Sequence, residues 1–509
     1  MHNPDCGPCF YRTCTLMRLR RLASQTAIYG LSSVLGRVLN WALTPLYANA
    51  LQMEDFGRFS DLYALTFFPL ILLTFGLETA FFRFASPAGP SSRTDTTADK
   101  AYAASFYTVA CFGLAFGLLG LLFSVPLARV LGYGQHVGLV QLVLFIIVLD
   151  VWAALPLARL RQRERPAQFA AISLLNVGIT LVLSILLVGV FRMGIEWAFG
   201  VNAIASGLRL LMALKGNWPQ WALVERAQVE TMLRYGAWIM LAGLLGAVNE
   251  TLDRALIPRL WPEGKVFAGW PRTGLELNAI YAANYKLAMI ISLAVQAFRY
   301  AAEPFFFRHA ADSRSPWLFA RVFHYFTLLG LVVFLLVSAF AFDLVSFNFF
   351  GLTRHRLLPP TYWVGLQVVP ILLMANLLLG AYVNLSIWFK LTGQVRYGLV
   401  IAAVGAALTI SINVATIPVM GYVGSAWATL VCYASMCALA YFLGQAYYPI
   451  PYRWARLGVY TCVFSVAVYF CVEVFKLHPG PKLLICLVAL IPVLAWEWRY
   501  PLKANSGNP

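Results

Sequence analysis

The chain has 509 residues, of which 61% are hydrophobic and only 12% charged, with a formal net charge of +17. A mean hydropathy of +0.73 excludes an ordinary soluble globular domain and leaves a polytopic helical membrane protein. In a soluble protein that charge would suggest nucleic acid; here the placement of the basic residues accounts for it, and no nucleic-acid partner is expected.

Residues 1–22 form a cytoplasmic N-terminal tail carrying Cys6, Cys9 and Cys14. No second ligand cluster completes a zinc site with them. Met17 with the basic run behind it has the look of a cytoplasmic start, so residues 1–16 need not belong to the native product. The apolar stretch that follows is too long for a cleavable signal. The other cysteines are scattered among predicted spans, which argues against a disulfide framework.

The first span, 24–51, is long enough to cross a ~30 Å hydrocarbon core. Thr26, Gly30, Ser33, Arg37, Asn40 and Thr44 recur at helical spacing and draw one polar, small-residue stripe along it. A cation at bilayer depth costs at least ~2.5–3.5 kcal/mol, so Arg37 is expected to face a bundle interior or a wet cavity. Further spans follow at about 57–84, 101–124, 137–160, 168–191, 196–215, 231–260, 277–307, 317–342, 361–389, 396–418, 421–445, 454–475 and 482–499. With both termini cytoplasmic, basic residues such as Arg18, Arg20, Arg21, Arg159, Arg161, Arg163 and Arg165 collect on the inner side, as the positive-inside rule requires.

The pattern Glu-x-x-Phe-Phe-Arg occurs at 78–83 and again at 303–308, and the same offset sets Asp61 opposite Lys286. An even number of spans in each repeat makes the repeat parallel, about an axis along the membrane normal. The fold class expected is therefore an all-α polytopic membrane protein of fourteen transmembrane helices. Two six-helix lobes in parallel pseudo-twofold repeat, 23–215 and 231–445, are joined by a cytoplasmic linker at 216–230. Residues 446–509 add a helix pair and a short cytoplasmic tail.

Charges inside spans carry the functional signal. Span seven holds Asn249, Glu250, Asp253 and Arg254 deep in an apolar helix, and Glu250 and Arg254 are spaced to pair on one face. Asp150 in span four is either a protonated core acid or a partner for Arg37. Arg37, Asn40, Arg254 and Lys286 are the candidate cavity residues, because cations on a bundle interior offset the desolvation of an anionic headgroup such as a diphosphate. Asp61, Glu78, Glu250, Asp253 and Glu303 are candidates for coupling or gating. No phosphate-cradling lysine loop, metal-spaced His/Cys set or nucleophile–base arrangement is visible. A secondary carrier rather than an enzyme is expected, without a cofactor but with H+ or Na+ as the candidate coupling ion.

These residues carry a resemblance. The opening SQTAIYGLSSVLGRVLNWALTPLYANAL, then EDFGRFSDLYAL, LETAFFRF, YGAWIMLAGLLGAVNETLDR and QAFRYAAEPFFF resemble the Wzx-type polysaccharide flippases. These belong to the multidrug/oligosaccharidyl-lipid/polysaccharide exporter superfamily, and the likeness spans roughly residues 20–500. The resemblance implies two six-helix lobes working by alternating access. It also implies a polyprenyl-diphosphate-linked oligosaccharide, of O-antigen or lipopolysaccharide type, as cargo from the cytoplasmic to the periplasmic leaflet. Membrane lipid and glycan polymerase or assembly proteins are the partners implied. The lipid-linked peptidoglycan-precursor flippases and the cation-coupled multidrug antiporters of the same superfamily are the alternatives.

Overall fold

The computed structural model describes residues 35–36, 38, 41–85, 95–309, 315–347, 356–394, 396–474 and 479–500. Helix is the dominant element because every backbone polar group must be satisfied within its own segment at membrane depth. Residues 41–50 form α1. Then come α2 (Met53–Thr74), α3 (Leu77–Ala85), α4 (Asp95–Leu122), α5 (Ser124–Val130), α6 (Val137–Gln162), α7 (Pro166–Leu183) and α8 (Ile195–Leu214). The second half of the sequence supplies α9 (Arg226–Leu260), α10 (Gly274–His309), α11 (Ser315–Ser346), α12 (Val369–Leu385) and α13 (Ile387–Leu391). It ends with α14 (Arg396–Met420), α15 (Tyr422–Tyr447), α16 (Trp454–Tyr469) and α17 (Pro479–Arg499).

Among the described residues, 13 helical segments are long and apolar enough to cross a membrane. They match thirteen of the fourteen expected spans to within a few residues, and the all-α membrane fold is borne out. Half of the first span, including Arg37 and Asn40, lies outside the described residues. Four local features were not anticipated: the short helix α5, a two-stranded hairpin pairing β1 (Val266–Phe267) with β2 (Trp270–Pro271), π-helical turns at Ser184–Val190 and Phe470–Val474, and a 3-10 stretch, Pro360–Val368, leading into α12.

Two compact units divide the chain, and the division runs through helices rather than between them. One takes Pro69–Phe191 and Glu196–Met240 with the described residues before Thr44; the other takes Thr44–Phe68, Arg192–Ile195 and the described residues from Leu241 onward. The boundary therefore falls inside α2 and α9, whereas the expected lobes divided at the 216–230 linker.

In the first unit α6 packs on α4, and α3 on both. Arg159, 3% exposed, pairs with Asp99 across that contact. Tyr102 donates to the Asn217 carbonyl at 2.7 Å, fixing the start of the linker to α4. The second span is not one rod. It breaks where Phe75 and Gly76 both take positive φ, 50° and 66°. Opposite the break lies Gly236 of α9, whose carbonyl would stand 2.6 Å from a Cβ at Gly76. Two glycines let backbone meet backbone here, and any side chain would force the helices apart.

The second unit is built on α10, α12, α14 and α15, with α11 against α10 and α12. Over residues 277–285 α10 is buried on every side, and Leu287, Ala288 and Ile291 continue the buried stretch. Helices α16 and α17 pack on α11. They hold Lys482, 1% exposed, on Asp343 at 2.5 Å, and Glu497, 8% exposed, on His324 at 2.9 Å. Tyr460 donates to the same Glu497 oxygen at 2.7 Å.

Candidate functional site

Helices α9 and α10 run antiparallel through the second unit, joined by the short β hairpin. That hairpin is anchored where Lys265 donates to the Pro418 carbonyl at 2.6 Å, at the end of α14. Buried Asn249 ties α9 to its neighbours. Its amide donates to the Ala402 carbonyl at 3.3 Å, its side-chain oxygen accepts from Thr409 at 3.4 Å, and its backbone carbonyl accepts from Tyr433 at 3.3 Å. One turn further along α9, the charged residues meet α10.

Asp253 is 4% exposed, and both its oxygens are engaged: one accepts the backbone N–H of Arg254 at 2.8 Å, the other the hydroxyl of Tyr281. The Arg254 guanidinium lies over the Tyr285 ring, 4.1 Å from its centroid. Lys286, the next residue along α10, is near enough to Arg254 for the two cations to act on each other electrostatically. Among the described residues no ion pair within 4 Å joins Glu250, which is exposed, to Arg254, although the two charges still act on each other. Helical spacing made that pair available, and the guanidinium lies over the aromatic face of α10.

The structure thus brings Asp253, Arg254 and Lys286 together in one unit. Two other acids are held elsewhere. Asp61, 1% exposed on α2, receives both Arg259 nitrogens, at 2.7 and 3.1 Å. Glu78 on α3 pairs with Arg161 of α6, whose guanidinium also lies between Phe82 and Phe169. Asp150 pairs with Arg209 of α8 at 2.7 Å, so it is an interhelical partner, while its expected base Arg37 lies outside the described residues. Glu303 falls on α10, with its side chain outside what the structure describes, as Arg37 and Asn40 are altogether. Sequence reading missed Arg259, Arg209, Tyr281 and Tyr285. Arg259 carried a signal, standing at the outer end of span seven as Asp61 stands in the outer part of span two; the tyrosines looked like ordinary packing. Among the described residues no group of three or more His, Cys, Asp or Glu side chains is placed to hold a metal ion.

A bundle of membrane-crossing helices, with buried charges on the helices themselves rather than in loops, defines a polytopic α-helical membrane protein. The fold is similar to that of a multidrug-resistance MATE transporter of the multidrug/oligosaccharidyl-lipid/polysaccharide exporter superfamily in an inward-facing conformation, with a TM-score of 0.65 and 14% identity over 83% of this chain and 96% of the other. It is similar also to the lipid II flippase MurJ in an inward closed conformation, with a TM-score of 0.66 and 11% identity over 92% of this chain and 98% of that one. A variant of the Vibrio cholerae MATE transporter VcmN superposes with a TM-score of 0.52 and 16% identity, over 85% of this chain and 98% of VcmN. No curated protein matches the sequence. The chain belongs to the polysaccharide biosynthesis protein family, whose pattern matches residues 22–310, more than half of its length. That membership agrees with the resemblance to polysaccharide flippases seen in the sequence.

Proposed function

We propose that the chain flips a polyprenyl-diphosphate-linked oligosaccharide from the cytoplasmic to the periplasmic leaflet of a bacterial inner membrane, by alternating access and with both termini cytoplasmic. The observation that carries this reading is the pair Arg254 and Lys286, two cations kept within electrostatic reach of each other inside membrane-crossing helices. Holding like charges together in an apolar bundle is costly, and an anionic ligand between them offsets that cost. A diphosphate suits the pair: guanidinium offers a bidentate fork and ammonium a compact charge. From the sequence alone, Arg37 and Asn40 on the first span are further candidates for contact with an anionic headgroup.

The lipid tail stays in the bilayer during transfer, so the protein handles only the headgroup and sugars. Coupling to H+ or Na+ is proposed through an acid of the set Asp61, Glu78, Glu250, Asp253 and Glu303. Asp61 and Glu78 already have arginine partners, which favours the others. Polymerase and assembly proteins are the proposed partners on the receiving side.

The test is glycan export in a strain lacking its own flippase, with membrane levels of each variant checked. Arg254→Glu should abolish export, and Arg254→Lys should keep part of it, retaining charge but losing the fork. Full export by Arg254→Glu at normal levels refutes the mechanism. Complementation of a peptidoglycan-precursor flippase, or drug efflux without glycan export, would move the cargo to one of the alternatives.

A further inference from the structure

The geometry around Arg254 points to two residues with a part in the headgroup site that the charges alone do not reveal. Arg254 has an acid beside it in the chain, yet the two side chains form no ion pair within 4 Å. Asp253 is held instead by the Tyr281 hydroxyl and by a backbone N–H. Tyr281 is fully buried and Tyr285 is 5% exposed, and their rings pack 5.7 Å apart on one face of α10. On that face Tyr285 carries the guanidinium plane, and Nε of Arg254 is buried without a hydrogen-bond partner.

We propose that Tyr281 and Tyr285 are positioning residues that keep Arg254 available to a diphosphate: Tyr281 by occupying the carboxylate of Asp253, Tyr285 by supporting the guanidinium from beneath. The proposal rests on the diphosphate reading of the Arg254–Lys286 pair. Its physical basis is competition. A buried carboxylate that loses a hydroxyl donor has to find another partner, and the cation already acting on it is the neighbouring Arg254. A carboxylate turned onto that guanidinium neutralises the site from within. The ring acts differently, since a cation over an aromatic face keeps its donor edge free while it is attracted to the face.

The experiment is equilibrium binding of farnesyl diphosphate to the full-length protein in detergent at low salt, on variants that elute as the wild type does. Tyr281→Phe, which removes one oxygen, should weaken binding about tenfold, one 1.4 kcal/mol step. In the Asp253→Asn background the same change should cost less than about threefold, because the amide has no charge to turn on Arg254. Tyr285→Leu should bind about fivefold or more weakly, and Tyr285→Phe, which keeps the ring but loses the hydroxyl bonded to Arg254, should fall between it and the wild type. Wild-type affinity in Tyr281→Phe, or an equal loss in both backgrounds, overturns the role of Tyr281. Equal affinities for Tyr285→Phe and Tyr285→Leu overturn that of Tyr285. An Arg254→Gln protein that binds as tightly as the wild type removes the diphosphate reading itself, whatever the tyrosine variants do. If Tyr281→Phe fails to fold, the Tyr281→Phe/Asp253→Asn protein measured against Asp253→Asn alone still decides, a tenfold loss there being the refuting result.

Discussion

Removing one member of the Asp61–Arg259 pair should destabilise the protein unequally, depending on which member goes. Asp61 is 1% exposed, whereas 29% of the Arg259 side chain reaches the surface. Arg259→Ala takes two charge-assisted hydrogen bonds from a carboxylate that water does not reach, a loss of about 3–5 kcal/mol. Asp61→Ala leaves a guanidinium that rehydrates in part, so its cost is about 2 kcal/mol. For a chain of this size ~2 °C accompanies each kcal/mol, so midpoints should fall by roughly 6–10 °C for Arg259→Ala and about 4 °C for Asp61→Ala. The Asp61→Ala/Arg259→Ala protein should be less destabilised than Arg259→Ala, because it leaves no buried carboxylate without a partner. Thermal unfolding in detergent at one heating rate measures all three. A larger drop for Asp61→Ala than for Arg259→Ala, or a double variant whose loss equals the sum of the singles, refutes the account.

Gly236→Ala should lower the midpoint by several degrees, as an added methyl meets the backbone at the Phe75–Gly76 break and overpacking costs about 1–3 kcal/mol; an unchanged midpoint would show that the helices part freely there. Lys482→Met should be milder than Asp343→Leu in the same assay, because Asp343 is 32% exposed and can hydrate while Lys482 is 1% exposed and cannot. With cytoplasmic termini, a cysteine placed at Ala268 in the β hairpin should react with an impermeant maleimide from outside the cell and one at Trp221 should not. The opposite pattern inverts the topology.

The spans were legible because each is a long apolar run, and hydrophobic length needs no knowledge of neighbours. Phe75–Gly76 escaped notice since two residues in an apolar run interrupt no pattern, although Gly76 was the available sign. Partner choice was the opposite case. Asp150 finds Arg209 and Asp61 finds Arg259 across 59 and 198 positions in sequence, distances at which spacing says nothing. At Arg254 the helical rule supplied Glu250 as a partner, and the fold lays the guanidinium over the ring of Tyr285. A rule about one helix has no term for the residues a second helix presents.

The clasp between α11 and α17 bears on how the last hairpin was acquired. Two polar clamps hold it, His324 to Glu497 towards one end and Asp343 to Lys482 towards the other. They are spaced 19 positions apart on α11 and 15 on α17, read from the same four residues. Fastened at both ends, the helix cannot slide by a turn without stranding a buried charge. A twelve-span descendant would have to replace His324 as well as lose the hairpin, for a buried imidazole in α11 would otherwise face lipid. Losing the C-terminal pair would therefore leave His324 and Asp343 of α11 without the partners they have here.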